Sequence, residues 1–304
     1  MNEVVTINTE SYASMAKAMG LPVSTGEKKT NVLNRFRLWH DSTMGLRTID
    51  GEEVKTEVIK GGCYRLEKVG DPKTYYFSEK ATFRPFLQRF MYKRYHKKDN
   101  LYANTIMSDT LNIDLKDDYD TFNCGKPTGF VKDYQALPES VKAVIKATER
   151  IRAVFGIIEL KKPVKLVDGR EVKEELESFP VIWEIKDKNT WKSMGDIFSK
   201  LSRMEKLPLQ YSIELDRSEV FFTNPAGAQF YKPILKVDYT KELEITESDH
   251  KIFGDFLDWI KSHNDNIIKK WDERVAEKQD EVSEEDMETV EQFIDVELET
   301  DAKQ

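Results

Sequence analysis

The sequence predicts an α+β fold in which strands outnumber helices. Short apolar or alternating runs recur along the chain, and Gly, Pro, Asn and Asp separate them, which is typical of β-rich proteins. Two Asp-Gly pairs, Asp50-Gly51 and Asp168-Gly169, lie between alternating runs, and each predicts a tight hairpin. Three longer segments have apolar residues at helical spacing. We therefore expect a strand-rich body with about three helices.

The first strand is expected at residues 31–39, where side-chain alternation places Arg35, Arg37 and Trp39 on one face. Hairpin strands follow on both sides of Asp50-Gly51, and another strand is predicted at residues 64–69.

The segment at residues 80–98 contains seven basic residues, five aromatic residues and no acid. Both a helical and a strand period fit it, but Pro85 disfavours a helix interior. Aromatic density and a hairpin return at residues 101–107 favour a strand. One face of that strand would carry the residues Arg84, Phe86, Phe90, Tyr92, Arg94 and Lys98. This face has few aliphatic side chains, so it is poorly suited to packing in the hydrophobic core.

The second half of the chain continues the mixed pattern. Two glycines and a proline predict a tight loop at residues 122–130, with Lys126 at its tip. Strands are predicted at residues 151–160, 179–185, 207–215 and 230–239, the last toward a sheet edge because it contains Pro233, and a hairpin is predicted at 164–172. Helices are expected from Pro138, after a cap at Asp187, Asn189 or Thr190, and from Ser248.

Charge is distributed unevenly along the chain, whose formal net charge is −8. Residues 272–304 contain fourteen acids and three basic residues, for a net −11, so residues 1–271 carry +3. We expect a mobile arm at residues 1–30, a body at 31–271 and an acidic tail at 272–304 that is disordered or partly helical. Alternatively, a second β-rich unit begins near residue 150. The tail would compete for the body's cationic groove or recruit a partner, or would only aid solubility.

The composition excludes several functional classes. No apolar run approaches the roughly 18 residues of a membrane span, and the N-terminus lacks a secretory signal pattern. We therefore expect a cytoplasmic protein with no membrane partner, and with Cys63 and Cys124 reduced, since no C-x-x-C spacing is present. The four histidines are not spaced like a zinc-binding pair. No metal or cofactor is expected.

Rings interleaved with cations match single-stranded nucleic acid, because bases stack on rings while phosphates meet Arg and Lys. Stacking is predicted for Phe86, Phe90 and Tyr92, with Trp39 a further candidate. Phosphate contacts are predicted for the basic residues Arg35, Arg37, Arg84, Arg94, Lys98 and Lys126.

The short strands, Asp-Gly hairpins, aromatic basic strand and acidic tail together resemble the single-stranded DNA-binding proteins of tailed-phage replisomes. The resemblance covers residues 31–240 as body and 272–304 as tail. It implies an OB-fold-like barrel core and binding without turnover, in which the protein coats single-stranded DNA during replication or recombination. It also implies replisome partners for the tail and, for a phage-encoded protein, the host cytoplasm. Those proteins often end in an aromatic residue, whereas this tail has its aromatic residue inside, at Phe293.

Two alternatives stay open from the sequence. Asp168 followed by Glu184 and Lys186 resembles the PD-(D/E)xK nuclease pattern, in which two carboxylates bind a metal and the lysine helps to activate water. The other alternative is a phage structural or interaction protein whose aromatic basic strand contacts another protein.

Overall fold

The computed structural model describes residues 33–70, 74–97, 99–119, 121–129 and 131–301, with side chains as far as residue 277. These residues belong to one compact unit that begins at Leu33. The expected N-terminal arm, residues 1–30, lies outside the described residues.

The described residues form thirteen strands and three helices. The strands are β1 (Asn34–Trp39), β2 (Thr43–Ile49), β3 (Glu52–Ile59), β4 (Cys63–Glu67), β5 (Tyr75–Ser78), β6 (Lys80–His96), β7 (Leu101–Asn104), β8 (Thr148–Lys161), β9 (Val164–Val167), β10 (Arg170–Lys173), β11 (Phe179–Ile185), β12 (Ile213–Thr223) and β13 (Gln229–Val237). The helices are α1 (Glu139–Ala147), α2 (Lys188–Arg203) and α3 (Glu247–Asp301).

Eleven strands form one mixed sheet in the order β10-β9-β5-β4-β1-β11-β8-β6-β12-β13, with β7 beside β6. Strands β1 and β11 are parallel, and the other neighbours are antiparallel. Strands β2 and β3 form a separate hairpin. The α+β, β-rich expectation with three helices is confirmed. The sheet is not closed into a barrel, so the OB-fold part of the expectation is not confirmed.

The sheet bends where the chain passes from β5 to β6, which Glu79 alone separates. Strand β5 pairs with β4, whereas β6 pairs with β8 in the other half of the sheet. The hydroxyl of Tyr64 in β4 donates to the carbonyl of Asp216 in β12 at 2.9 Å. This hydrogen bond joins two strands that are not neighbours, so the bend brings the halves of the sheet together.

Each face of the sheet is covered by a long helix. On the α2 face, Phe36 and Trp183 share a core with Met194 of α2. On the α3 face, Phe155 shares a core with Phe256 of α3. Because alternate residues of a strand point to opposite faces, these contacts assign a face to every side chain in the central strands.

A β-bulge in β6 interrupts that alternation. Pro85 is opposite Gly156 of β8, and Leu87 is opposite the next residue, so Phe86 has no partner in β8. Phe83 therefore packs on the α2 face before the bulge, and Phe90 lies on the same face after it, although seven positions separate them. The expectation that Arg84, Phe86 and Phe90 share one face is wrong for this reason.

Several local predictions are confirmed. Segment 80–96 is a strand, and both Asp-Gly pairs are hairpin turns with positive φ at Asp50, Gly51, Asp168 and Gly169. Asp187 caps α2 by accepting from the Thr190 N–H at 2.7 Å. The strand predicted at 207–215 begins only at Ile213, because a 3-10 turn occupies Pro208–Gln210.

Both cysteines, Cys63 and Cys124, are buried free thiols. Within the described part of the chain, no helix has the length and apolar character needed to cross a membrane.

Candidate nucleic-acid interface

The structure divides the sequence-predicted residues into three groups. Arg84 and Phe86 lie at the β6 bulge on the α3 face. Arg35, Arg37 and Trp39 lie along β1 on that same face, because Phe36 between them points into the α2 core. Phe90, Tyr92, Arg94 and Lys126 lie together on the α2 face. Lys98 is outside the described residues.

Arg84 and Phe86 anchor α3 and are not available to a ligand. The guanidinium of Arg84 contacts both carboxylate oxygens of Asp249 at 2.8 and 3.1 Å and also donates to the carbonyl of Leu209. Phe86 is 2% exposed and packs edge to face on Phe256. The expectation that these two residues contact phosphates and bases is wrong, because the bulge turns them toward α3.

Tyr92 is also a core residue, since only 2% of it is exposed. It packs with Leu115 and Cys124 in a small cluster. Arg94 donates to the carbonyl of Cys124 at 2.7 Å, so its side chain holds the 123–125 turn against β6. The expectation that bases stack on Tyr92 is therefore wrong. Its ring instead forms part of the wall of a cavity.

We use the name β6 groove for the surface on the α2 face that runs along the second half of β6. It is defined by the residues Gln88, Phe90, Tyr92, Arg94, Leu111, Lys126, Tyr134, Arg150, Arg152, Trp191, Phe198 and Arg203. A cavity of about 620 Å³ lies at one end, between Tyr92, Lys126 and Arg150. A second cavity of about 590 Å³ lies at the other end, between Gln88, Phe198 and Arg203.

Arg152 lies between residues of the two cavities, because it contacts Gln88 of the smaller one and shares the Trp191 ring with Arg150 of the larger one. Its guanidinium carbon lies 5.0 Å from the ring centroid of Phe90 and 4.8 Å from that of Trp191, and it donates to the side-chain oxygen of Gln88. Arg152 is 8% exposed, and its Nε has no hydrogen-bond partner. Gly195 permits this approach, because a Cβ there would lie 2.9 Å from a guanidinium nitrogen. Burial lowers the pKa of Arg152, and the nearby Asp196 opposes that shift.

Lys126 and Arg150 place two more cations at the larger cavity. The ammonium of Lys126 donates to the carbonyls of Pro127 and Gly129, at 2.9 and 3.4 Å, and lies 5.1 Å from the Tyr92 ring centroid. Arg150 is exposed, and its guanidinium carbon lies 5.8 Å from the Trp191 ring centroid. Burial and then the charge of Arg150 lower the pKa of Lys126. The site thus holds like charges near one another.

No described acidic residue lines either cavity of the β6 groove. None of its arginines or Lys126 forms an ion pair with a described carboxylate. These five cations are Arg94, Lys126, Arg150, Arg152 and Arg203. Carbonyls, an amide and aromatic rings hold them in place instead. Arg152 is the buried member of this set, and burying a cation without an ion-pair partner is unfavourable, whereas the other four are half-buried or exposed around it. The groove is therefore suited to an anionic ligand.

Sequence reasoning missed Arg150, Arg152, Trp191 and Arg203 as site residues. The alternation of Arg150 and Arg152 at the start of β8 is a readable signal, since it places both on one face. Trp191 was expected in the apolar stripe of α2, but it is only partly buried. Nothing in the local sequence indicates that α2 brings it over β8.

The nuclease pattern is not assembled. Asp168 lies in the β9–β10 turn and Glu184 in β11, and β5, β4 and β1 lie between β9 and β11, so roughly 19 Å of sheet separates these strands. Glu184 pairs with Lys93 at 3.6 Å and Lys186 with Glu149 at 2.6 Å. Among the described side chains, no cluster of three or more His, Cys, Asp or Glu could hold a metal ion.

Comparison with protein-family models, curated proteins and solved structures finds no match to this chain.

Proposed function

We propose that the protein binds single-stranded DNA along the β6 groove, without turnover. The observation that carries this proposal is the set of five cations that form no ion pair with a described carboxylate and lie beside the rings of Phe90 and Trp191. Phosphates would supply the missing negative charge, and bases would supply flat surfaces for the rings.

Single-stranded nucleic acid suits the groove better than a duplex. In a single strand the bases are free to stack on protein rings, whereas duplex binding relies on backbone contacts and on base edges in the grooves. Trp191 is the ring best placed for such stacking, because it is only partly buried and already lies against two arginines.

The proposed role is to coat single-stranded DNA during replication or recombination, as the resemblance to phage single-stranded DNA-binding proteins implies. In this proposal the bent sheet is an elaborated OB-type core. The acidic tail is proposed to compete with DNA for the groove or to recruit replisome proteins. Its backbone continues α3 to Asp301.

Fluorescence anisotropy with a labelled oligothymidylate tests the proposal directly, at about 50 mM salt where phosphate contacts are strong. We expect saturable binding that weakens steeply as salt is raised. Absence of binding at that salt concentration would reject the proposal and favour a structural or interaction protein. Metal-dependent loss of the oligonucleotide would instead favour an enzyme.

A further inference from the structure

The hairpin formed by β12 and β13 carries an exposed aromatic tip. Strand β12 pairs with β6 only at Ile213–Leu215, so the rest of the hairpin extends beyond that strand pair. At its tip Phe221 is 60% exposed, Phe222 50% and Phe230 42%. Several large exposed rings grouped together indicate a contact surface, because soluble proteins rarely leave such patches open.

The residues around the tip indicate the chemistry of the partner. No acid occurs from Val220 to Val237 in a chain with 55 acidic residues. The rings of Phe222 and Phe230 lie 5.9 Å apart, and Phe230 lies 5.8 Å from the imidazole of His40. Acids lie farther down the hairpin, where Glu219 is opposite Lys232 and Asp216 pairs with Lys236, so the ring-bearing tip is suited to a partner that is flat and anionic.

His40 joins the tip to a cleft of about 390 Å³ that Arg35, Arg37 and Lys186 also line. Arg35 forms no ion pair with any described residue, whereas Arg37 is paired with Glu67 at 2.5 Å. Glu184 and Asp187 line the same cleft, but Glu184 is paired with Lys93 and Asp187 caps α2. Lys186 is paired with Glu149 at 2.6 Å, so the cleft offers one cation without a described ion pair, Arg35, near the exposed rings.

This surface is separate from the β6 groove. Arg35 and Arg37 point to the α3 face, because Phe36 between them is buried in the α2 core. Arg152 and Phe90 of the groove lie on the α2 face against Trp191. Arg35 and Arg37 are thus on the opposite face of the sheet from Arg152 and Phe90.

We propose that the aromatic hairpin tip and the Arg35 cleft form a second single-strand-binding surface, so that one chain holds two separate segments of single-stranded DNA. This inference rests on the proposed function of the β6 groove. Bases would stack on Phe222 and Phe230, and a phosphate would contact Arg35. A protein with two such surfaces would bridge DNA segments as well as coat them.

Native mass spectrometry of the full chain with an oligothymidylate of about eight nucleotides, a length within one binding site, counts the bound strands. We expect two strands per wild-type chain, one for Phe222→Ala/Phe230→Ala and one for Lys126→Ala/Arg150→Ala. The matched control is Ile49→Ala/Val54→Ala, at the exposed β2–β3 hairpin, which should still bind two. Because the substituted rings are exposed, thermal unfolding of the hairpin variant should be unchanged.

The strand counts distinguish failure of the second surface from failure of the β6 groove. One strand on both the wild type and the hairpin variant would overturn the second surface and leave the groove standing. One strand on the wild type and none on the hairpin variant would make the hairpin the main site and overturn the groove. A changed oligomeric state of the hairpin variant, with its strand count unaltered, would show a protein contact and overturn the second surface.

An independent readout comes from Arg35→Ala, which leaves the hairpin rings in place. It should lower the salt slope of binding by about 0.7 in a Lys126→Ala/Arg150→Ala background, the change expected for one lost phosphate contact. An unaltered slope would also overturn the second surface.

Discussion

The guanidinium of Arg152 lies against the ring of Trp191, 4.8 Å from its centroid, and forms no ion pair with a described carboxylate. The two residues come from β8 and α2, so their contact joins the sheet to the helix that covers it. Rings and an amide oxygen offset the buried positive charge of Arg152 only in part. A phosphate in the β6 groove would complete its environment.

The first prediction concerns the electrostatic contribution of the groove. Lys126→Ala/Arg150→Ala should reduce the slope of log affinity against log salt by about 1.4, or about 0.7 for each lost phosphate contact. Lys251→Ala is the matched control, because Lys251 is exposed on α3 and forms no ion pair with a described residue. Equal slopes for both variants would place the DNA elsewhere.

The second prediction separates Arg84 from ligand binding. Arg84→Ala leaves Asp249 buried without its partner, so the free energy of unfolding in urea should fall by about 3–5 kcal/mol. Arg89→Ala on the same strand should cost less than about 1 kcal/mol, since Arg89 only donates to the carbonyl of Gln88. A stable Arg84→Ala protein with weakened DNA binding would show that Arg84 contacts the ligand after all.

The third prediction concerns the acidic tail. Truncation after Glu277 removes eleven acids and two lysines and keeps the pair between Lys116 and Asp272. At low salt, DNA affinity should rise on the order of tenfold, because a tethered competitor acts at high effective concentration. Replacing the eleven acids by Gln and Asn should have the same effect without shortening the chain. Unchanged affinity in both variants would rule out competition by charge.

The fourth prediction concerns pH. Burial lowers the pKa of His263, although the hydrogen bond to the carbonyl of Thr105, at 3.2 Å, opposes the shift. The unfolded chain therefore binds this proton more readily, and stability is fully present above the ordinary histidine pKa and is lost as pH falls below it. The pKa values of His40 and His96 are also lowered by burial, so they act in the same direction.

Urea unfolding at about pH 7.5 and about pH 5.5 should show a loss at the lower pH on the order of 1 kcal/mol. His263→Gln keeps a donor for Thr105 and should show a smaller loss. An identical pH dependence in wild type and variant would mean that His263 does not contribute.

Local sequence patterns predicted most of the strands, because alternation and Asp-Gly turns are encoded by neighbouring residues. Segment 80–96 was correctly assigned as a strand, but its faces were not. Pro85 has no N–H to donate to β8, and the bulge at Phe86 follows directly after it. That proline was available as a signal for the bulge. The direction in which the bulge turns Phe86 depends on α3, which is far away in sequence.

The site was only partly predictable for the same reason. Phe90, Arg94 and Lys126 were identified from composition, and the structure brings them together on the α2 face. Arg152 and Trp191 complete the groove only because α2 packs across β8, with Gly195 permitting the close approach. Such a contact depends on tertiary packing between segments that have no shared local pattern.

The most direct test of the β6 groove is the tryptophan fluorescence of wild type and Trp191→Phe during titration with oligothymidylate at about 50 mM salt. If bases stack on Trp191, wild-type emission should fall on binding. Trp191→Phe should lose most of that quenching while it still binds, because phenylalanine keeps a ring for stacking. Quenching of the same depth in both proteins, or none in the wild type, would contradict the groove as the binding site.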